Sequence, residues 1–311
     1  MCCLFGMIDY KNHFTRQEKN KIISILSTAC EERGVDATGI AYNAHDKICI
    51  YKRPIEASKM KYRLPYGVKT IMGHTRMTTQ GDEKLNYNNH PFYGKVDDVQ
   101  FALAHNGVLR NDLHLRHKEK LPHTKIETDS YIAVQLIEKK KELSFDSLKF
   151  MAEQLEGSFT FTVLDGDNNL YFVKGDNPMC IYHYNDIGVY LYASTEEILR
   201  QAFKEISYKL GDFEKVNILC GEILTIDEKG CVSKEAFCTD KLYSYYHFPF
   251  HIWDDEPRKQ RRSLSGCLRS YIAQLKSIAS YFGYAPEYID LLIDDGYSTD
   301  EIEEMLYCGE I

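Results

Sequence analysis

The chain has 311 residues, of which 44% are hydrophobic and 27% are charged, a composition typical of one large globular domain or a domain with an appendage. Its formal net charge of −8 argues against a protein that binds nucleic acid or an anionic membrane. It shows no signal peptide and no apolar run of about 18 residues, the minimum for a transmembrane helix.

The cysteines are scattered along the chain, and this indicates reduced thiols. There are ten of them without any C-x-x-C pair, so that neither a zinc ribbon nor a redox motif is indicated. The expectation is a cytoplasmic protein. Four of the cysteines lie in apolar stretches and are expected in the core: Cys30, Cys49, Cys180 and Cys220.

The first half of the chain is predicted to contain short strands and one well-marked helix. A strand over residues 4–8 precedes Thr15 and Glu18, which form a capping box at the start of that helix. Gly34 stands where a left-handed cap would end it. Residues 75–98 lack a regular pattern, and a loop of that length in a compact domain is commonly functional. Further strands are predicted over residues 39–43, 48–52, 70–74 and 101–105.

Two helices and a second group of strands follow. The helices are predicted from residue 129 to about 141 and over residues 145–155, and a short helix over residues 196–203. Strands are predicted over residues 159–164, 170–173, 179–183, 189–193 and 222–226. Strands, then two helices, then strands again are typical of a layered α+β domain.

A change of composition near residue 240 divides the chain. Residues 2–240 are expected to form the main domain. Residues 241–265 are expected to form an aromatic arm, which holds the only tryptophan, Trp253, and a polar linker. Residues 266–311 are expected to form a small C-terminal helical appendage. Its helices are predicted over residues 267–281, 286–293 and 299–307.

The start of the chain, Met-Cys-Cys, offers a candidate nucleophile. Removal of Met1 is expected because the next side chain is small, and it would leave Cys2 with a free α-amino group beside its thiol. The ordinary pKa values of these groups are about 7.7–8.0 and about 8.5, so both can exchange protons near neutral pH. A thiolate is also a strong nucleophile.

Five short clusters of residues follow one another along the first half of the chain. They are Cys2, Arg-Gly-Val-Asp-Ala-Thr-Gly at residues 33–39, residues 73–81 with Asn-Asn-His-Pro-Phe at residues 88–92, Ala-His-Asn-Gly at residues 104–107, and Glu-Thr-Asp at residues 127–129. This set resembles the class II glutamine amidotransferases, whose glutaminase domain uses an N-terminal nucleophile (Ntn). The resemblance covers about residues 2–230 and implies an α+β Ntn-hydrolase fold, a four-layer αββα sandwich.

The resemblance also implies roles at the reacting atoms. The Cys2 thiol would attack the side-chain amide of L-glutamine, and its α-amino group would carry the proton. The side-chain amide of Asn106 and the backbone N–H of Gly107 would stabilise the oxyanion. Asn-Gly is also a common hairpin turn, and the residues allow both interpretations.

Other matching residues would hold the substrate or support the site. Arg76 would bind the α-carboxylate, to which a guanidinium is well suited, and Asp129 would bind the α-ammonium. Asp129 is also placed to cap the following helix. Thr79 would contact the substrate. Three further matches are interpreted as supporting: Arg33, Asp36 and His90. Cys3 and Gln80 depart from the family, which usually has Gly and often has His there.

The function implied is hydrolysis of glutamine to glutamate and ammonia through a Cys2 thioester, without a metal site or a cofactor. Residues 240–311 show no motif of a domain that would consume ammonia, so the ammonia is expected to pass to a separate partner or to solvent. The expected partner is a synthase subunit, or else the chain forms a homo-oligomer. The arm and tail either dock that partner or cap the domain. Two alternatives stay open: an Ntn amidohydrolase for another γ-glutamyl or peptide-like amide, and a non-catalytic binding module of the same fold.

Overall fold

Two antiparallel sheets packed face to face form the body of the protein in the computed structural model, which describes residues 2–242, 272, 275–276, 279, 284–295, 297 and 299–308. The strands of the first sheet, in spatial order, are β11 (Glu214–Lys215), β9 (Cys180–Tyr184), β10 (Val189–Ala193), β1 (Cys3–Asp9), β4 (Thr70–Arg76), β2 (Ala37–Ala44) and β3 (Lys47–Arg53). Those of the second sheet are β13 (Val232–Ala236), β12 (Glu222–Ile226), β8 (Leu170–Lys174), β7 (Gly157–Asp165), β6 (Val99–Leu109) and β5 (Phe92–Val96).

Helices cover the outer face of each sheet and complete four layers. The helices of the domain are α1 (Arg16–Ala29), α2 (Asp112–Lys118), α3 (Tyr131–Lys140), α4 (Phe145–Gln154) and α5 (Glu196–Glu205). Helices α1 and α5 pack on the first sheet, whereas α3 and α4 pack on the second. The expected α+β sandwich of αββα type is therefore confirmed.

Strand β1 shows why both faces of the first sheet are buried. Its alternate side chains point to opposite faces. Phe5 and Met7 join the apolar cluster beneath α1 and α5, whereas Leu4 and Ile8 join the cluster between the sheets. Each such side chain contributes about 1.5–3 kcal/mol when it is fully buried. The strand lies at the centre of its sheet, between β10 and β4, so that the start of the chain is held on both sides.

The predicted start of helix α1 is confirmed, whereas its predicted end is not. At its start the Glu18 N–H donates to Thr15 Oγ1 (3.3 Å) and the Thr15 N–H donates to Glu18 Oε2 (2.7 Å), so the capping box is confirmed. The expectation that Gly34 is a left-handed cap is wrong, because a 3₁₀ turn over Cys30–Glu32 continues the helix. Gly34 instead allows a close approach, since a β-carbon there would lie 2.5 Å from the carbonyl carbon of Arg76.

Several predicted segments differ from the structure. Residues 75–98 are not one irregular loop, because they contain strand β5 and a 3₁₀ turn over Asn86–Asn88. The Asn106–Gly107 pair lies inside β6, paired with β7, and forms no hairpin turn. Helix α2 and strands β11 and β13 were not predicted. Among the four cysteines expected in the core, Cys30 and Cys180 are buried, Cys49 and Cys220 are half-buried, and Cys220 is disulfide-bonded instead of reduced.

The C-terminal region contains two helices where the sequence predicts them, α6 (Glu287–Asp294) and α7 (Thr299–Cys308). Their buried side chains form a separate apolar cluster: Leu275, Ala279, Ile289, Leu292, Ile302 and Leu306. The predicted aromatic arm and linker lie outside the described residues after Leu242. Among the helices that the structure describes, none has the length and apolar character needed to cross a bilayer.

Candidate active site

One cleft at the end of the sandwich gathers most of the predicted site residues. Strand β1 begins beside the end of β4, and the pairing of Cys3 with Thr75 puts Cys2 next to Met77. The cleft is lined by Cys2, Arg76, Met77, Thr79, Gln80, His90, His105, Gly107, Thr128, Asp129 and Ser130. Of the predicted nucleophile, substrate and oxyanion residues, all except Asn106 therefore line this cleft.

The Cys2 thiol is held against the backbone of Met77. The Met77 N–H donates to Cys2 Sγ at 3.4 Å, and Sγ is 3.5 Å from the Met77 carbonyl oxygen. Burial raises the pKa of the Cys2 thiol, and the positive charge of the chain N-terminus, the Met77 hydrogen bond and the Arg76 charge oppose this shift only in part. The thiol is thus protonated at neutral pH, and an adjacent base is needed to make it a nucleophile.

Arg33 and Asp36 support this corner from below. Arg33 Nε donates to the Cys2 carbonyl oxygen at 3.3 Å, and Asp36 Oδ2 accepts from the Thr78 N–H at 2.7 Å. The Asp36 N–H donates to the Arg76 carbonyl oxygen at 3.0 Å. Both residues therefore contact the backbone around Cys2 and Arg76 and do not line the cleft, and their supporting roles stay a prediction.

Gly107 lies in the cleft wall and needs to be glycine. Its φ of 142° is unfavourable for other residues, and a β-carbon would lie 2.0 Å from the Ser158 carbonyl oxygen. Asn106 is fully buried behind this wall. Its Nδ2 is 3.5 Å from Ser194 Oγ, and its Oδ1 has no hydrogen-bond partner among the described residues.

Asp129 is pinned at the opposite side of the cleft. Its Oδ2 accepts from the Leu109 N–H at 2.6 Å, and its Oδ1 accepts from the Ser130 N–H at 2.8 Å. Helix α3 begins at Tyr131, with Ser130 at the N-cap, so that Asp129 is not the cap residue. A carboxylate offers about four acceptor positions, which leaves capacity for a cationic ligand.

Arg76 ties the loop over residues 77–91 to β4. Its guanidinium donates to Asn89 Oδ1 (2.6 Å) and to the carbonyl oxygens of Gln80 (2.6 Å) and Gly81 (3.0 Å). A guanidinium has five N–H donors, and these three bonds leave Nε–H and one Nη1–H for a ligand. Thr79, at the exposed tip of this loop, completes the rim.

Sequence analysis did not find Lys52, which holds the far end of the same loop. Lys52 Nζ donates to the carbonyl oxygens of Asn89 and of Pro91, the latter at 3.0 Å. Burial, with a further effect from the Arg76 charge, lowers the pKa of Lys52 to about 8. A lysine in a polar strand such as β3 gives no sequence signal, because nothing locally distinguishes it from a solvated side chain.

Three buried histidines lie at the back of the cleft, and two of them, His90 and His105, line it. The rings of His74 and His90 are 4.2 Å apart, and His90 lies 4.4 Å from Phe92. His74 Nε2 is 3.0 Å from the His105 carbonyl oxygen, so that this nitrogen carries the proton. Burial lowers the pKa of all three histidines, to about 3 for His74. They are therefore neutral at pH 7, and the supporting role of His90 stays a prediction.

Because the pKa values of these histidines are lowered in the fold, the free energy of unfolding is expected to decrease in acid. A histidine with an unfolded pKa of about 6.5 that stays neutral in the fold lowers the free energy of unfolding by about 1.4 kcal/mol at pH 5.5, since protons then favour the unfolded chain. Between pH 7.5 and pH 5.5, the free energy of unfolding of His74→Gln, measured in urea, is therefore expected to fall by about 1.4 kcal/mol less than that of the wild type. The exposed His114→Gln is the control. Equal pH dependence in both variants would contradict the prediction.

Two further polar residues, which sequence analysis missed, pack behind Gly107 and Asn106. Asn177 is fully buried, and neither its Oδ1 nor its Nδ2 has a partner among the described residues. Its Nδ2 lies 2.8 Å from the place where a β-carbon on Gly107 would stand. Ser194 Oγ accepts from the Leu4 N–H at 2.9 Å and so links the Cys2 strand to Asn106.

The arrangement combines a thiol, a backbone donor, a guanidinium and a carboxylate in one cleft. A cationic and an anionic group across a cleft suit a zwitterionic amino acid, and the thiol suits acyl transfer. Within the described residues, no group of three or more His, Cys, Asp and Glu side chains is arranged to hold a metal ion.

Comparisons with known proteins agree with this chemistry. Residues 74–201 match the profile of a family described as a glutamine amidotransferase domain. Over 274 residues the chain is 26% identical to a glutamine–fructose-6-phosphate aminotransferase (isomerizing) of Bacillus cereus, covering 83% of this chain and 43% of that protein. A 7-cyano-7-deazaguanine synthase of Saccharolobus solfataricus is 24% identical over 237 residues, covering 72% of this chain and 50% of that protein.

A solved structure shows the same fold. The glutamine phosphoribosylpyrophosphate amidotransferase of B. subtilis superposes with a TM-score of 0.58 at 18% identity, covering 92% of this chain and 59% of that chain. The chain thus spans half or less of the length of the two curated relatives and somewhat more of this structure.

Proposed function

We propose that this chain, which carries a glutamine amidotransferase domain of the class II, Ntn type, hydrolyses the side-chain amide of L-glutamine to glutamate and ammonia through a thioester on Cys2. One observation carries the proposal: the Cys2 thiol shares a cleft with Arg76, Gly107 and Asp129. These groups are what nucleophilic attack on an amino-acid amide requires.

The reaction starts at the thiol. After removal of Met1, the free α-amino group of Cys2 takes the thiol proton, and the sulfur attacks the carbonyl carbon of the glutamine side chain. The C–N bond of the tetrahedral intermediate then breaks, and the α-ammonium returns its proton to the leaving ammonia. Water attacks the γ-glutamyl thioester, which releases glutamate and restores the thiol. The raised pKa of the buried thiol makes such a neighbouring base necessary.

The oxyanion is stabilised by donors at the end of β6. The backbone N–H of Gly107, in the cleft wall, is one donor, and the side-chain amide of Asn106, whose Nδ2 is 3.5 Å from Ser194 Oγ, is the other. Donors that are fixed before the reaction stabilise the transition state most, because they need no reorganisation.

The head group of glutamine is bound by two opposite charges. The Arg76 donors not used by the loop bind the α-carboxylate, and the open acceptor positions of Asp129 bind the α-ammonium. Because Arg76 also anchors the loop over residues 77–91, the same guanidinium links the bound substrate to this loop.

Substitution Arg76→Lys is expected to lower kcat/KM for glutamine by about 10- to 100-fold, mainly through KM. A lysine retains the charge but loses the forked donors, and a hydrogen bond between charged groups contributes about 1.5–3 kcal/mol. The measurement is steady-state ammonia release, with the exposed Arg200→Lys as the control. An unchanged KM would exclude Arg76 from the carboxylate site.

Substitution Asn177→Ala is expected to lower kcat about tenfold, which corresponds to about 1.4 kcal/mol, with KM changed less than about twofold. The Asn177 amide packs against Gly107, so that its loss displaces an oxyanion donor but no head-group contact. Asn177→Gln, which keeps the amide, tests for partial rescue. An increase of KM without a loss of kcat would show that Asn177 acts elsewhere.

The ammonia is proposed to pass to a separate synthase. The two curated relatives are named for different products, although both match this chain. This variety supports a glutaminase module that can be combined with different acceptors. The C-terminal helices α6 and α7 are candidates for the docking region.

A glutamine analogue tests the proposal directly. We expect intact mass to show loss of Met1, and a diazo-ketone analogue of glutamine to add one label, at Cys2, with protection by glutamine. No label on Cys2 in folded protein that lacks Met1 would overturn the proposal. Faster turnover of another γ-glutamyl amide than of glutamine would instead favour the alternative amidohydrolase.

A further inference from the structure

A second, larger cleft lies at the β2–β3 edge of the first sheet, away from Cys2. Its volume is about 520 Å³, within the range of about 300–1,000 Å³ typical of small-molecule sites. Ile40 and Leu64 form a buried floor, while the half-buried Tyr42 and Tyr51 contribute walls. Such a floor with aromatic walls favours a ligand with a flat ring.

Three cations surround the opening of this cleft: Arg53, Lys61 and Arg63. All three are exposed, and in the described part of the chain none of them has an ion pair or a side-chain hydrogen bond. Two acids of neighbouring segments do not pair with these cations: Glu56 pairs with Lys59 (2.9 Å), and Glu31 accepts from the Ser58 N–H (2.5 Å). In a chain of net charge −8, this leaves a local positive field at one cleft.

We propose that this cleft binds a phosphorylated ligand that carries a flat ring, of the nucleoside phosphate type. The ring lies against Tyr42 and Tyr51, and the phosphates are bound by Arg53, Lys61 and Arg63. Guanidinium groups match phosphate geometry with paired donors, and aromatic faces stack on planar rings. A purely apolar ligand would leave the three cations without a role.

The cleft is connected to the active site through a single strand. Tyr51 and Arg53 point into the cleft, while Lys52, between them on β3, points to the opposite face and holds the carbonyl oxygens of Asn89 and Pro91. Asn89 in turn binds Arg76. Because β3 is an edge strand, a bound ligand stabilises it and the loop it holds. This coupling between the two sites rests on the proposed function, and through it a bound ligand lowers the KM for glutamine.

Binding is tested first, because it needs no catalysis. The full-length Cys2→Ala protein is titrated with ATP and with inorganic pyrophosphate by calorimetry. We expect saturable binding of ATP, at least tenfold weaker in Arg53→Glu/Arg63→Glu and less than twofold weaker in the control Lys204→Glu/Lys229→Glu, which changes net charge equally. Tyr51→Ala is expected to weaken ATP binding but not pyrophosphate binding.

The outcomes separate the parts of the inference. No saturable binding of ATP, or equal affinity in the two charge variants, overturns the site. Equal affinity for ATP and pyrophosphate, unaffected by Tyr51→Ala, overturns the ring subsite. If ATP binds but KM for glutamine in the wild type stays constant, the coupling through Lys52 is wrong. A wild type without glutaminase activity that still binds ATP would refute the proposed function and not this site.

Discussion

Substitution Cys2→Ala is expected to reduce glutamine hydrolysis by about 10⁴-fold or more, because Cys2 is the only thiol among the described residues that line the cleft. Binding of glutamine should change little, since the proposed ligands of its head group, Arg76 and Asp129, lie on other elements. Ammonia release measures the first effect, and protection against thermal unfolding by glutamine measures the second. Together they distinguish a missing nucleophile from a damaged site.

The exposed, free Cys231 provides a matched control. Cys231→Ala should retain wild-type activity and still take up one diazo-ketone label, whereas Cys2→Ala should take up none. Undiminished ammonia release from Cys2→Ala would mean that the chemistry lies elsewhere. Labelling at Cys231 in the wild type would mean that the reagent is not specific for a thiol in the cleft.

Substitution Asn106→Ala is expected to lower kcat by about 10²–10³-fold, the effect of about 2.7–4 kcal/mol that removal of one oxyanion donor has in other enzymes. KM should stay within about threefold, because the donor acts on charge that develops only in the transition state. Stopped assays of ammonia release at saturating glutamine give kcat directly.

Asn106→Asp sharpens this test. It keeps the shape of the side chain but replaces a donor with an acceptor, so its kcat should be as low as that of Asn106→Ala or lower. The exposed Asn185→Ala serves as the control. If Asn106→Asp retained most of the activity, the Asn106 amide would not be an oxyanion donor, and Gly107 alone would serve.

Much of the fold could be predicted because local patterns and tertiary packing agree. The apolar run that became β1 is buried on both faces, and the Thr15–Glu18 capping box starts α1 as expected. The predictions fail where tertiary packing, and not the local sequence, determines the structure. Strand β13 is mostly exposed and lacks an apolar pattern, so it forms only because β12 offers a partner edge. Gly34 serves a close approach to Arg76 that no local pattern reveals.

The site residues also differ in whether the sequence could predict them. Cys2, Arg76, Gly107 and Asp129 stand in short motifs and were predictable, and the structure brings them to one cleft. Lys52, Asn177 and Ser194 stand in no motif, and each acts on a residue far away in sequence. Asn106 shows a third case, since its motif is clear but its buried orientation toward Ser194 is visible only in the fold.

The central place of β1 also has a consequence for biosynthesis. The Leu4 N–H bonds to Ser194, 190 residues further along the chain, so a ribosome must release most of the domain before the first strand finds both neighbours. Contacts this distant form late and slowly. Under the proposed function, the Cys2 thiol of a nascent chain therefore stays inactive until β10 has been synthesised and has paired with β1.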